Sequence, residues 1–253
     1  MSNFNAAVLK VTGDAFTVDS SPEVISELAE EIVSLRGQLS GGLVVCVGGG
    51  AGNRGRDSGV TGTARLRVDM QGMLASCRNA SLLAQKIGND AIGFSAVPYN
   101  SRRHDVEKSE HGLRLQFEDE VHVLEAMEVS KRGVVVAGGG IGRGLVSTDL
   151  GAALWAADLA QMGHETVLLK GSNVDGVFDD DPRKNPNARL LDRLSYGDAS
   201  RNGLSVVDLA AWPVLEQAGV TTVIYKNTPG NMAKAVAGEI GSRVDVDGMR
   251  MTA

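Results

Sequence analysis

The sequence predicts an α/β fold, a three-layer αβα sandwich around a mostly parallel sheet. Two observations predict it. Short runs rich in Val, Ile and Leu alternate with segments of helical periodicity from end to end. The runs are apolar at nearly every position, the pattern of strands buried on both faces of a parallel sheet.

In chain order, "AAVLKVTG" (6–13) reads as a strand, and Pro22–Gln38 as a helix. "GLVVCVGGG" (42–50) is the second strand, followed by a helix over Leu66–Gly88, then a strand at "AIGFSAVP" (91–98). From Tyr99 to Lys131 the chain is more charged and less regular, with "SRRHDVEKSEHG" as a turn-rich excursion; it reads as an insertion or short hairpin over the site. "GVVVAGGG" (133–140) is the next strand, and a helix follows over Asp149–Gly163. There Leu150, Ala153, Leu154, Ala157 and Gln161 recur at helical spacing, with Ser147, Thr148 and Asp149 as candidate caps. "TVLLKGS" (166–172) and "TTVIYKN" (221–227) are strands, with a helix over Val206–Gly219 between them. We read residues 1–253 as one domain.

The 253 residues are ample for a buried core, and 43% hydrophobic with 22% charged residues is ordinary globular composition. A net charge of −6 argues against a nucleic-acid partner. No apolar stretch follows a basic start, so no signal peptide is expected. The longest apolar runs fall well short of the roughly 20 residues that span a bilayer. Cys46 and Cys77 read as buried thiols, and His104, His111, His122 and His164 share no ligand spacing. A cytoplasmic protein without a membrane partner is the expectation.

"VVCVGGG" at Val44–Gly50 and "VVVAGGG" at Val134–Gly140 are nearly the same seven letters. In an open α/β sheet, ligands sit outside the carboxyl ends of the strands. Glycines there let main-chain N–H groups approach an anion, and a following helix N-terminus adds positive potential. Two such loops suggest two anionic groups facing each other, as phosphoryl transfer requires. The plainer alternative is a steric need for glycine at a strand end. "GAGNRG" (Gly50–Gly55) also fits the dinucleotide pattern G-x-G-x-x-G, but it follows the second strand and carries an Arg. The Walker pattern is absent.

Lys10 stands near the end of an apolar strand, which is costly unless it meets an anion; the alternative is a snorkelling edge lysine. Asp149 opens a helix directly after the second glycine loop, as catalyst or as plain cap. Arg54 and Arg143 each follow a glycine loop, placed for a phosphate or simply solvated. "KGSNVDGVFDDDPRKNP" (Lys170–Pro186) ends a strand and carries Asp179–Asp181, either an acidic surface turn or a nucleotide's polar edge.

These residues resemble the amino-acid-kinase superfamily, and within it most closely the uridylate (UMP) kinases. "VLKVTGDAF" is similar to the family's Lys-x-Ser/Thr-Gly-Glu opening strand. "GGGAGNRG", with "DMQGMLAS" beginning fourteen residues after Gly55, resembles its GGG-x-x-x-RG loop and Asp-x-MGMLAT helix. "STDLGAA", "KGSNVDGVFDDDPRKNPNARLLDRLSY", "SVVDLAA" and "TPGNMAKAVAGEIGS" resemble the family's TTD, KVDGVF-x-x-DP, VMDLAA and PGNL-RA-GE-GT stretches, in the same order.

The resemblance implies a kinase using ATP and Mg²⁺, with UMP as acceptor. Lys10 would bridge the transferring phosphoryl group, with Thr12 and Gly13 lining the cradle. Gly49 and Gly50 would offer backbone donors, one to each nucleotide, and Arg54 would reach across both. Asp69 would hold the acceptor's ribose; Gly142, Arg143 and Thr148 would contact the acceptor. Asp149 would organise the catalytic centre, and Asp208 would orient the lysines or the metal. Lys170 would be a second cation, and Ser172, Phe178 and Asp181 would line the ATP site. A homohexamer, often regulated by GTP or UTP, and pyrimidine nucleotide biosynthesis are further implications.

Departures concentrate in the acceptor loop. "GGGIGRGLVSTD" has Ile141 for a threonine, Arg143 for an asparagine, and Leu145 and Val146 for a pair of aromatics. Asn173 replaces a lysine, and Tyr225 stands where the family favours asparagine. An alternative acceptor, another monophosphate or a phosphonylated metabolite, follows from those changes. A molybdenum-storage relative is the alternative outside catalysis, for which four scattered histidines are a poor match.

Overall fold

The protein is seen here as a computed structural model, which describes residues 4–16, 22–50, 55, 58–96, 124, 133–142, 147–182, 184–201 and 206–246. Its elements run β1 (Ala6–Val11), α1 (Pro22–Arg36), β2 (Gly42–Val47), α2 (Gly62–Ile87), β3 (Ala91–Ser95), β4 (Val134–Gly138), α3 (Thr148–Gln161), β5 (Thr166–Ser172), β6 (Arg193–Ser195), α4 (Tyr196–Arg201), α5 (Ala211–Gln217), β7 (Thr221–Lys226), α6 (Asn231–Ala237) and β8 (Ser242–Asp245). The excursion read over 99–131 lies, Leu124 apart, outside the described residues.

The strands form one eight-stranded sheet in the order β3-β4-β2-β1-β5-β7-β8-β6. All neighbours run parallel except β7 and β8. This is the expected α/β sandwich, matching the continuous apolar runs: every residue of β1, β2 and β4 is buried. β1 lies between β2 and β5, so the chain winds outward from it in both directions. That reversal opens a crevice at the strands' carboxyl ends.

The two core layers divide the residues by face. Val8, Val44, Val135, Leu168 and Ile224 meet α3, α4 and α5, where Trp155, Tyr196 and Trp212 are buried. The Phe94 and Trp155 rings pack edge to face at 5.2 Å. Leu9, Val45, Val136, Leu169 and Tyr225 point the other way, onto α1, α2 and α6. Tyr225, one of the departures from the family pattern, is thus a core residue, and burial pushes its phenol pKa up.

Three readings are corrected. The helix expected from Val206 begins at Ala211, because Val206–Ala210 form a turn that delivers the Asp208 amide to the site. The expected glycine-ended strands stop at Val47 and Gly138, where their ladder ends. The stripe Leu150, Ala153, Leu154, Ala157 and Gln161 is not the buried face of α3: Leu154 is 39% exposed, and small residues Gly151, Ala152, Ala153, Ala156 and Ala157 form its buried surface with Trp155 and Leu159. The short elements β6, α4, α6 and β8 add to the elements read from sequence.

Candidate active site

Lys10 and Lys170 are register partners on β1 and β5. Side chains at one register level of parallel strands share a face, so two ammonium groups are brought side by side. Both are mostly buried, at 7% and 14% side-chain exposure. Their repulsion is offset by Asp149, which the first turn of α3 lowers between them. Asp149 Oδ1 accepts from Lys170 Nζ at 2.6 Å and lies 3.6 Å from Lys10 Nζ. Its Oδ2 accepts the Asp208 main-chain N–H at 3.3 Å. Lys10 Nζ also donates to Val11 O at 3.3 Å.

Burial alone would raise the Asp149 carboxyl pKa. The Lys10 and Lys170 ammonium groups, with hydrogen bonds from Lys170 and the Asp208 amide, win and hold it below the ordinary carboxylate value. The three side chains of Lys10, Lys170 and Asp149 together carry one net positive charge in a largely dry position. Such a centre attracts an anion.

Ser147 caps α3: its Oγ accepts the Asp149 N–H at 3.2 Å, which fixes the aspartate at the helix mouth. Asp149 is therefore the residue after the first helical position rather than the cap itself. Asp208 reaches the cluster through its backbone; its carboxylate accepts the Ala210 N–H at 3.1 Å.

The glycines are tight for internal reasons first. A Cβ on Gly13 would run into the backbone of Gly48–Gly50, and one on Gly49 into the backbone of Gly72 on α2. A Cβ on Gly48 would stand 3.4 Å from Lys10 Nζ. At the second junction, a Cβ on Gly138 would lie 2.7 Å from Cys77 Cα, so glycine is what lets α2 sit down on β4. Gly139 and Gly140 then turn at φ 82 and 59, conformations that suit glycine. The room that both triple glycines leave is filled in part by the molecule's own main chain.

The other sequence-derived candidates fall into place as follows. Thr12 Oγ1 donates to Asp14 at 2.8 Å beside Gly13. Asp69 Oδ1 accepts the Gly55 N–H at 2.9 Å, bracing the loop after β2. Gly142 closes a turn onto Gly139 O at 3.0 Å, and Thr148 begins α3. Gly50 is half-buried at φ 91. Ser172 ends β5 and takes the Val174 N–H at 3.4 Å. Phe178 bridges Leu190, and Asp181 pairs loosely with Lys184 at 3.8 Å. Asp179 and Asp180 shape this turn, accepting from Arg189 N–H and Asn185 Nδ2 at 2.7 and 2.9 Å. Arg54 and Arg143, with Leu145 and Val146, lie outside the described residues.

Sequence reasoning missed Ser76 and Asn79 on α2. Ser76 Oγ donates to Val47 O at 2.5 Å and accepts the Gly139 N–H at 2.8 Å. Asn79 Nδ2 donates to Gly48 O at 3.0 Å. Two polar residues three apart on the buried stripe Met73, Ala80, Leu83, Ala84 were the available signal.

A model of the amino acid kinase family matches residues 5–226. The chloroplastic uridylate kinase PUMPKIN of Arabidopsis thaliana is 35% identical over 238 residues, covering 92% of this chain; the chain spans 66% of that protein's length. The uridylate kinase of Erythrobacter litoralis is 31% identical over 239 residues, 92% of this chain and 93% of that one. The crystal structure of UMP kinase from Ureaplasma parvum superposes with a TM-score of 0.75 over 96% of this chain and 99% of its own, at 20% identity.

Proposed function

The chain belongs to the amino acid kinase family, and from that premise we propose that it transfers the terminal phosphoryl group of ATP to UMP. A phosphate oxygen of UMP forms a bond to the γ-phosphorus, the bond from that phosphorus to the β,γ-bridging oxygen breaks, and UDP and ADP leave. The observation that carries the proposal is the buried pair Lys10 and Lys170 sharing Asp149 at the mouth of the β1–β5 crevice. The relatives named above are uridylate kinases.

The reaction needs little covalent help; it needs two anions held in line and their developing charge neutralised. Lys10 and Lys170 supply that charge in our reading. Asp149 keeps both ammonium groups forward, and the Asp208 amide keeps Asp149 in place. Thr12, Gly13, Gly50, Ser172, Phe178, Asp181 and Arg54 belong to the ATP side. Gly49, Asp69, Gly142, Arg143 and Thr148 belong to the acceptor side. We assign a single domain whose acceptor half is about 1–148 and whose ATP half is about 149–253.

Among the described residues no group of three or more His, Cys, Asp or Glu converges on a metal position. Mg²⁺ typically arrives on nucleotide phosphates and takes only one or two protein carboxylates, a need that Asp149 can meet. Asp149, the carboxylate that lies between the two lysines, would hold it, and it would share the charge of the phosphate oxygens. Among the described residues no helix is long and apolar enough to cross a membrane. A cytoplasmic setting, a homohexamer and a place in pyrimidine nucleotide synthesis complete the proposal by resemblance.

An ADP-release assay over UMP, CMP, AMP, GMP and dTMP tests the acceptor. UMP is expected to be turned over fastest. Equal turnover of several monophosphates would remove UMP as the assigned acceptor.

A further inference from the structure

β2 and β4 are paired up to Cys46 and Ala137, and there the ladder stops. Val47 and Gly138 come next, and beyond them lie the two glycine loops. A continued parallel ladder would use Val47 O and the Gly139 N–H as neighbouring partners. Neither group goes unpaired: the Ser76 hydroxyl stands between them, donating to Val47 O at 2.5 Å and accepting from Gly139 N–H at 2.8 Å. Ser76 is 1% exposed, and its hydroxyl uses its single proton and one lone pair, so its direction is fixed. A side chain has taken the place of the next main-chain rung.

That substitution has a geometric consequence. An inserted oxygen with a bond on each side holds Val47 and Gly139 farther apart than one N–H···O bond would. The main-chain ladder therefore gives way to a side-chain bridge at the level where the loops leave the strands. Asn79, one turn along the same helix, donates to Gly48 O in the loop after β2. α2 also touches the β2 loop through Gly72 against Gly49 and Asp69 against Gly55. Ser76 alone among these α2 contacts holds both loops at once.

We propose that Ser76 is a positioning residue for phosphoryl transfer, a spacer that sets the distance between the β2 glycine loop and the β4 acceptor loop. The proposal rests on the phosphotransferase reading above. Ser76 touches neither substrate; it acts through Val47 and Gly139. Without it the gap closes or fills with water, and the phosphates lose their in-line geometry. Misplacement on the order of 1 Å costs about 100-fold in rate.

The test compares wild type with Ser76→Ala and Ser76→Thr, with Ser76→Cys run alongside to keep the volume if alanine does not fold. Ser76→Ala is expected to lower kcat by about 10- to 100-fold, with KM for ATP and for UMP each within about 3-fold of wild type. Ser76→Thr, which keeps the hydroxyl, is expected to restore kcat; Ser76→Cys should resemble alanine. The second readout needs no turnover: the Gly139 amide should exchange its hydrogen at least about 10-fold faster in Ser76→Ala. Unchanged Gly139 exchange overturns the spacer. Faster exchange with wild-type kcat, or a loss confined to thermal stability, overturns its role in positioning. If wild type fails to phosphorylate UMP, the exchange readout still decides the spacer, and the failure belongs to the assigned reaction.

Discussion

At the residue scale, Asp149 is where the electrostatic account is most exposed to test. It is one carboxylate between two buried ammonium groups. Asp149→Asn leaves both lysines facing each other, and kcat is expected to fall by about 100-fold or more, the usual effect of losing a preorganised charge. Breaking a buried pair also destabilises, here by about 3 kcal/mol at neutral pH, without abolishing the fold. The sign of the pH dependence follows from the depressed carboxyl. Its stabilisation is present above the unfolded carboxyl's value, 3.8, and is lost as pH falls through the lower folded value. Urea denaturation of wild type and variant from about pH 7 downward should therefore show two curves that converge only in acid. A gap that persists unchanged below the folded carboxyl's range would contradict the pairing.

At the element scale, the strands were legible because parallel strands buried on both faces carry an unbroken Val/Leu pattern, which β1, β2 and β4 do. β6 and β8 were not: three and four residues give no period to count. The start of α5 was misplaced because Val206 and Val207 look helical, whereas their turn presents the Asp208 amide to Asp149. The glycine junctions were singled out for an anion with a steric need as the plainer alternative, and the packing at Gly13, Gly49 and Gly138 supports the steric need. Gly138 is glycine because α2 lies against it, a contact between residues far apart in the chain that no local pattern announces. Gly138→Ala is accordingly expected to cost about 3 kcal/mol by lifting α2 from β4, measured by urea denaturation. Gly59→Ala offers a contrast: nothing lies within 4 Å of its added Cβ, so only the strain of φ 72 remains, about 1 kcal/mol. Similar losses at both positions would mean that the helix contact is not what Gly138 provides.

At the scale of the whole molecule, the sheet order explains why distant motifs act together. β1 sits at the centre and brings Lys10 beside Cys46 on one flank and Lys170 on the other. Sequence could propose that Lys10 and Lys170 meet, by resemblance; only the register puts them opposite one another. A ligand that binds the folded state alone stabilises it by about 2.7 kcal/mol at 100 times its Kd. ATP is expected to raise the Tm of wild type, and to raise that of Lys10→Met much less; equal shifts would place the ATP phosphates away from Lys10. The most direct measurement of the central claim is phosphorus NMR of ATP and UMP incubated with wild-type protein and with Lys10→Met. The account predicts stoichiometric UDP and ADP with wild type and a rate at least about 100-fold lower with the variant. Release of inorganic phosphate in place of UDP, or undiminished UDP formation by Lys10→Met, would contradict it.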